Sequence, residues 1–163
     1  MKIFVASDHA GFHLKQKVVA HLRAQAHEVQ DMGPQTDERV DYPDFAVLVG
    51  RAVRDAAGSL GILVCGSGIG MCITANKVRG VRAAEGSGVE SARLARAHND
   101  ANVLCVGQRL VPPDTALAIA DVFLKTPFDG GRHTARVQKI ADLEHAEAVG
   151  ALGAVDKPAR STL

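Results

Sequence analysis

The sequence predicts an α/β fold: a single three-layer domain with a five-stranded parallel sheet between helices, of the flavodoxin-like or Rossmann-like kind. Three observations predict it. Short aliphatic runs alternate with segments of helical period along most of the chain. The strongest run is apolar throughout instead of alternating, as strands covered on both faces are. The 163 residues are enough for one sizeable core and too few for two comfortable ones.

The elements follow in order. "KIFVAS" is a buried strand, and "AGFHLKQKVVAHLRAQ" places Phe12, Leu14, Val18, Val19 and Leu22 at helical spacing. "HEVQDMG" is a short second strand ending at Gly33. "YPDFAVLVGRAVRDAAG" is a helix closing on Gly58, a stop signal. "LGILVC" is an aliphatic central strand, followed by a short helix, "IGMCITANKV". "VRAAE" is a fourth strand, "SGVESARLARAHN" a helix and "NVLCVG" a fifth strand. "PPDTALAIADVFLKT" is a helix with prolines at its start, and "GGRHTARVQKIADLEHAEAV" is the last. Residues 1–149 form the expected domain. Residues 150–163 mix small residues, Pro and charge without period, which predicts a mobile tail.

The expected strand order is 2-1-3-4-5. In such sheets ligands bind beyond the carboxyl ends, where strand order reverses, here between strands one and three. The residues leaving those strands are Asp8-His9 and Cys65-Gly66-Ser67-Gly68-Ile69-Gly70. A thiol, a glycine cluster and an Asp-His pair thus face one crevice.

Composition excludes some alternatives. A formal charge of +1 and one Tyr, five Phe and no Trp give neither a basic stripe nor base-stacking rings, arguing against nucleic acid. Nothing approaches the roughly 20 apolar residues of a membrane span. Three widely spaced cysteines in mostly apolar surroundings fit reduced thiols, and the N-terminal apolar run is too short for a signal peptide. A soluble cytoplasmic protein is expected.

Each motif has competing readings. Gly66, Gly68 and Gly70 let backbone N–H groups converge on an anion. No G-K-[ST] follows them, and the third glycine of a dinucleotide fingerprint would fall on Met71. Glu85 stands near where a ribose-binding acid belongs, so a nucleotide-binding module stays open. Cys105 reads as core and Cys72 as helix face. Cys65, at a strand exit among amides, is as readily a reactive thiol as a packed one. His9 and His13 are four apart beside Asp8, but no third ligand stands at motif spacing, so no metal is expected. Arg132 and Arg136 share a face at a helix start, suiting either a solvated surface or a phosphate clamp.

Taken together, "SDHAG", "DYPDFA", "VCGSGIGMCITANK", "AHND", "NVLCVGQR" and "GGRHTARV" occur in an order that resembles ribose-5-phosphate isomerase type B. The wider family includes galactose-6-phosphate and allose-6-phosphate isomerases. The resemblance implies an aldose–ketose isomerase of phosphorylated sugars, without metal or organic cofactor. It makes Cys65 the base of a cis-enediolate mechanism, with amides of Gly66, Gly68, Ile69 and Gly70 on the enediolate and Ser67 near the thiol. His98 would open the furanose ring. Asp8, His9, Tyr42 and Asn99 would line the sugar, and Arg109, Arg132 and Arg136 would neutralise the phosphate. Ser67 replaces the threonine of many members. Met71 stands where a cysteine-lacking branch carries glutamate, so the thiol branch is favoured. Six-carbon phosphosugars remain the alternative substrates.

Topology adds an expectation. His98 and Asn99 precede strand five, so they lie at the end of the sheet opposite Cys65. A homodimer in which each copy completes the other's site resolves this. The family resembled is built that way, with dimers sometimes paired into tetramers.

Overall fold

The computed structural model describes residues 1–149; the segment expected to be a mobile tail lies outside the described residues. Five parallel strands form one sheet: β1 (Lys2–Ser7), β2 (Glu28–Asp31), β3 (Leu60–Cys65), β4 (Ala83–Glu85) and β5 (Val103–Gly107). The helices are α1 (Phe12–Ala24), α2 (Tyr42–Asp55), α3 (Ile69–Ala75), α4 (Val89–Asn99), α5 (Pro113–Lys125) and α6 (Arg132–Ala148). Each lies where its apolar period predicted it.

The strand order is β2-β1-β3-β5-β4, which corrects the expected 2-1-3-4-5 at its far side. Burial explains the exchange. All five residues of β5 are buried, so it belongs inside the sheet. The three residues of β4 are none of them fully buried and end on exposed Glu85, so it suits the edge. The reversal between β1 and β3 is unaffected, and with it the crevice.

The order also sets the layers. Right-handed crossovers place a helix on one face when the chain moves one way along the sheet and on the other when it moves back. The connections β1 to β2 and β4 to β5 run one way, putting α1 and α4 with α5 over Ile3, Val5, Ile62, Val64 and Leu104. Those from β2 to β3 and from β3 to β4 run the other way. They put α2 and α3 over Phe4, Leu63, Cys65 and Cys105. Helix α6 packs against α4, and His133 is its one buried residue.

One buried charge stands out on α1. Lys15 is wholly inaccessible, and its ammonium donates to both Asp31 carboxylate oxygens at 2.8 Å and to the Pro34 carbonyl at 2.7 Å. All three of its donors are used, which is what makes such burial tolerable. The clamp holds the turn after β2 beside the carboxyl end of β1, where Ser7 N–H donates to Gly33 O.

Candidate active site

β3 delivers Cys65 to the carboxyl edge of the sheet with 4% of the residue exposed. The chain then turns through Gly66, Ser67 and Gly68 into α3. Gly68 is left-handed, with φ of 83°, and its N–H donates to Cys65 Sγ at 3.0 Å. A Cβ on Gly107 would fall 2.5 Å from the Ser67 carbonyl carbon, so only glycine lets the exit of β5 lie against the turn. Ser67 Oγ accepts weakly from Ile69 N–H at 3.4 Å. Ile69, Gly70 and Met71 open α3, where N–H groups have no acceptor within the helix.

β1 presents its exit from the neighbouring strand. Asp8 is buried, donates its N–H to Val64 O at 3.2 Å, and accepts Gly11 N–H on its carboxylate at 2.9 Å. A Cβ on Gly11 would lie 2.5 Å from the Val64 carbonyl group and 2.8 Å from Cys65 N, so the two exits touch because Gly11 has no side chain. His9 stands in the short 3-10 turn His9–Gly11. The shorter of its two contacts with Val40 has Nδ1 donating to the carbonyl at 3.0 Å, which leaves Nε2 unprotonated in the neutral ring.

Tyr42, the first residue of α2, lays its ring over Gly70; a Cβ there would meet the ring at 2.8 Å. Arg109 donates its backbone N–H to Gly66 O at 3.0 Å, and its guanidinium lies over the same glycine. Asp8, His9, Tyr42, Gly66, Ser67, Gly68, Ile69, Gly70 and Arg109 therefore gather around Cys65.

Four expected site residues do not. His98 and Asn99 end α4, and Arg132 and Arg136 lie on the exposed start of α6. The sheet register pairs Cys65 with Gly107 and Gly61 with Val103. Four residues of β5, about 13 Å of strand, separate the thiol's level from the strand's start, and α4 ends beyond that start. There the His98 ring stacks on the His133 ring, with centroids 4.2 Å apart and planes 8° from parallel. Asp129 Oδ2 lies 3.9 Å from His98 Nε2. The Asn99 carbonyl accepts from Arg82 at 3.1 Å. The expected site residues thus fall into two groups at opposite ends of the sheet.

The chain matches the sequence pattern of the ribose/galactose isomerases over residues 3–140. It belongs to that family. Ribose-5-phosphate isomerase B of Escherichia coli K12 is 46% identical over 143 residues, covering 88% of this chain and 96% of the relative. A probable ribose-5-phosphate isomerase B of Mycoplasma pneumoniae is 47% identical, covering 87% and 94%. Among solved structures, ribose-5-phosphate isomerase B of Clostridium thermocellum superposes with a TM-score of 0.88 at 46% identity, covering 90% of this chain and 99% of that one. The enzyme from Mycoplasma genitalium with bound ribulose-5-phosphate gives 0.85 at 46%, covering 88% and 96%.

Other readings of this family member's motifs part from the structure. Glu85 does not flank the glycine turn, because β5 stands between β3 and β4; the dinucleotide arrangement is absent. His9 and His13 do not converge: His9 is held by Val40, while exposed His13 faces Asp37 at 3.8 Å. Among the described residues no group of three or more His, Cys, Asp or Glu is placed to hold a metal. Cys105 is core, and burial pushes its thiol well up from the ordinary range. Cys72 is half-buried, and a hydrogen bond with Cys105 draws its thiol down.

The sequence reading missed three contributors. Gln108 donates its N–H to Cys65 O at 2.8 Å and accepts Leu14 N–H on Oε1 at 2.8 Å, tying the thiol strand to the head of α1. Val40 anchors His9 through its backbone, so no side-chain signal existed. His133 was in view within "GGRHTARV", but only the fold sets it against His98.

Proposed function

We propose that the chain interconverts ribose 5-phosphate and ribulose 5-phosphate through a cis-enediolate, with Cys65 as the base. The observation that carries this reading is the thiol itself: nearly buried, at the strand exit, with the Gly68 N–H aimed at its sulfur from 3.0 Å. A carbon acid next to a carbonyl needs its enediolate stabilised as much as it needs a strong base.

In the proposed sequence the Cys65 thiolate takes the proton from C2 of the open aldose and returns it to C1, while the O2 hydroxyl proton passes to O1. N–H groups around Gly66, Ser67, Ile69 and Gly70 steady the charge on O1 and O2, while that of Gly68 steadies the sulfur. Asp8 and Tyr42 border the sugar carbons, and His9 and Arg109 face the crevice toward the phosphate. His98 and Asn99 come from a second copy, with Arg132 and Arg136: His98 protonates the ring oxygen as the C1–O4 bond breaks and the O1 hydroxyl gives its proton to water, and the arginines clamp the phosphate. What supports a homodimer is the division of one chemical inventory between the two ends of a single chain.

The test is nuclear magnetic resonance of ribose 5-phosphate in D₂O with metal-stripped protein. Ribulose 5-phosphate forms, and deuterium enters at the transferred carbon as far as the thiol exchanges with solvent. Turnover of allose 6-phosphate or galactose 6-phosphate with none of ribose 5-phosphate would replace the pentose by a hexose. Silence with all three would remove the isomerase reading.

A further inference from the structure

Nothing in the mechanism above uses His133, yet it is the one buried residue of a seventeen-residue helix. Its setting is built from several sides. The Asp129 N–H donates to Ala97 O at 2.9 Å, which pins the turn before α6 to the last turn of α4. Gly130 and Gly131 then take positive φ of 64° and 52°, turning the chain back so that α6 starts beneath His98. The His133 N–H donates to Gly130 O at 3.0 Å, fixing the residue that follows the turn. Its ring is left parallel to that of His98 at 4.2 Å.

The protonation of the pair follows from its neighbours. Arg132 Nε donates to His133 Nε2 at 3.4 Å, a contact in which that nitrogen is the acceptor. Burial, and then the charges of His98, Arg132 and Arg136, draw the His133 imidazole below its usual range, with Asp129 opposing. With His133 neutral the stack avoids the repulsion that two parallel imidazolium rings at this spacing would meet. The other ring of the stack is that of His98. The stack fixes its plane, and Asp129 lies 3.9 Å from its Nε2.

We propose that His133 is a positioning residue for ring opening: a neutral aromatic platform that holds the His98 imidazole in the plane from which it delivers a proton to the furanose ring oxygen. This rests on the reading of His98 as the ring-opening acid in a site shared between two copies. Ribose 5-phosphate is the substrate that needs the platform, because its C1 aldehyde is held in a ring through O4. Ribulose 5-phosphate has no such ring, since its O5 carries the phosphate.

The experiment compares His133→Ala, His133→Phe and His98→Ala with the parent protein on ribose 5-phosphate carrying hydrogen or deuterium at C2. Chemistry that waits on ring opening hides the C2–D isotope effect, whereas damage to the proton transfer or to the fold does not. His133→Ala is expected to lower kcat/KM about tenfold, a loss in keeping with a misplaced catalytic group. The isotope effect on the remaining activity is expected to shrink toward unity. His133→Phe, which keeps a flat ring against His98, restores both. If His133→Ala aggregates, His133→Gln takes its place.

Full activity in the alanine variant overturns the proposal, as does a loss whose isotope effect is unchanged or larger. So does failure of phenylalanine to rescue while His98→Ala shows the collapsed isotope effect. If His98→Ala itself leaves the isotope effect standing, the ring-opening reading of His98 is what fails, and the role of His133 falls with it.

Discussion

Replacing Cys65 by serine and by alanine separates the thiol's chemistry from its packing. The sulfur occupies a site 4% exposed and accepts the Gly68 N–H at 3.0 Å. Serine keeps an acceptor for that N–H. Alanine removes it and leaves a buried donor unpaired, at a cost of about 1–3 kcal/mol. Deleting the buried side-chain atom adds roughly 1 kcal/mol more. Alanine is therefore expected to lower stability by about 2–4 kcal/mol, and a chain of this length then melts roughly 4–16 °C lower. Serine should stay near the parent. Turnover should behave otherwise: both variants lose the base, so both fall by at least about 10²-fold. Calorimetric melting at one fixed protein concentration, beside initial rates with ribose 5-phosphate, reads both quantities. Equal melting temperatures for the two variants would refute the Gly68 bond. Serine retaining more than about a tenth of parental turnover would refute the thiol as base.

Three further outcomes are expected. Cys65→Ala and His98→Ala, each strongly impaired alone, should complement when unfolded together and refolded: half the dimers are mixed and one site in each is intact, so about a quarter of parental activity returns. No recovery would place both residues in one protomer's site. Lys15→Met strands the Asp31 carboxylate and should cost roughly 3–5 kcal/mol in urea unfolding, with Lys15→Met/Asp31→Leu regaining much of it; a single-variant loss under about 1 kcal/mol would show that water relieves the clamp. The third outcome concerns pH. The His133 imidazole titrates lower in the folded chain than unfolded, with His98, Arg132, Arg136 and Asp129 facing it. The unfolded chain therefore binds the extra proton first. Stability should rise with pH from the folded value up through the usual histidine range, and His133→Phe should flatten that slope.

The apolar runs and their helical intervals carried the elements, because burial on both faces of a parallel sheet leaves a continuous aliphatic signature such as "LGILVC". The motif set around Cys65 was legible for a related reason. Asp8, Cys65 and the glycines leave β1 and β3 at one edge, so a correct β1–β3 adjacency is enough to bring them together, whereas Arg109 leaves β5, whose place beside β3 only the structure shows. Even the separation of His98 from Cys65 followed from the sequence, since a helix entering β5 must end at the opposite edge. Strand order beyond β3 did not follow. Whether β4 or β5 lies inside depends on how five buried residues compete with three half-exposed ones for a single slot, a comparison made only by packing. The burial of Lys15 had no signal in the sequence, because its partners, Asp31 and the Pro34 carbonyl, are set beneath it by the turn after β2. The stack of His133 on His98 likewise depends on where two glycines turn the chain. Local periodicity determines which residues are buried and which edge of the sheet they reach. Side-chain pairing across distant segments is decided by tertiary packing, because its energy exists only once both partners have been brought within contact.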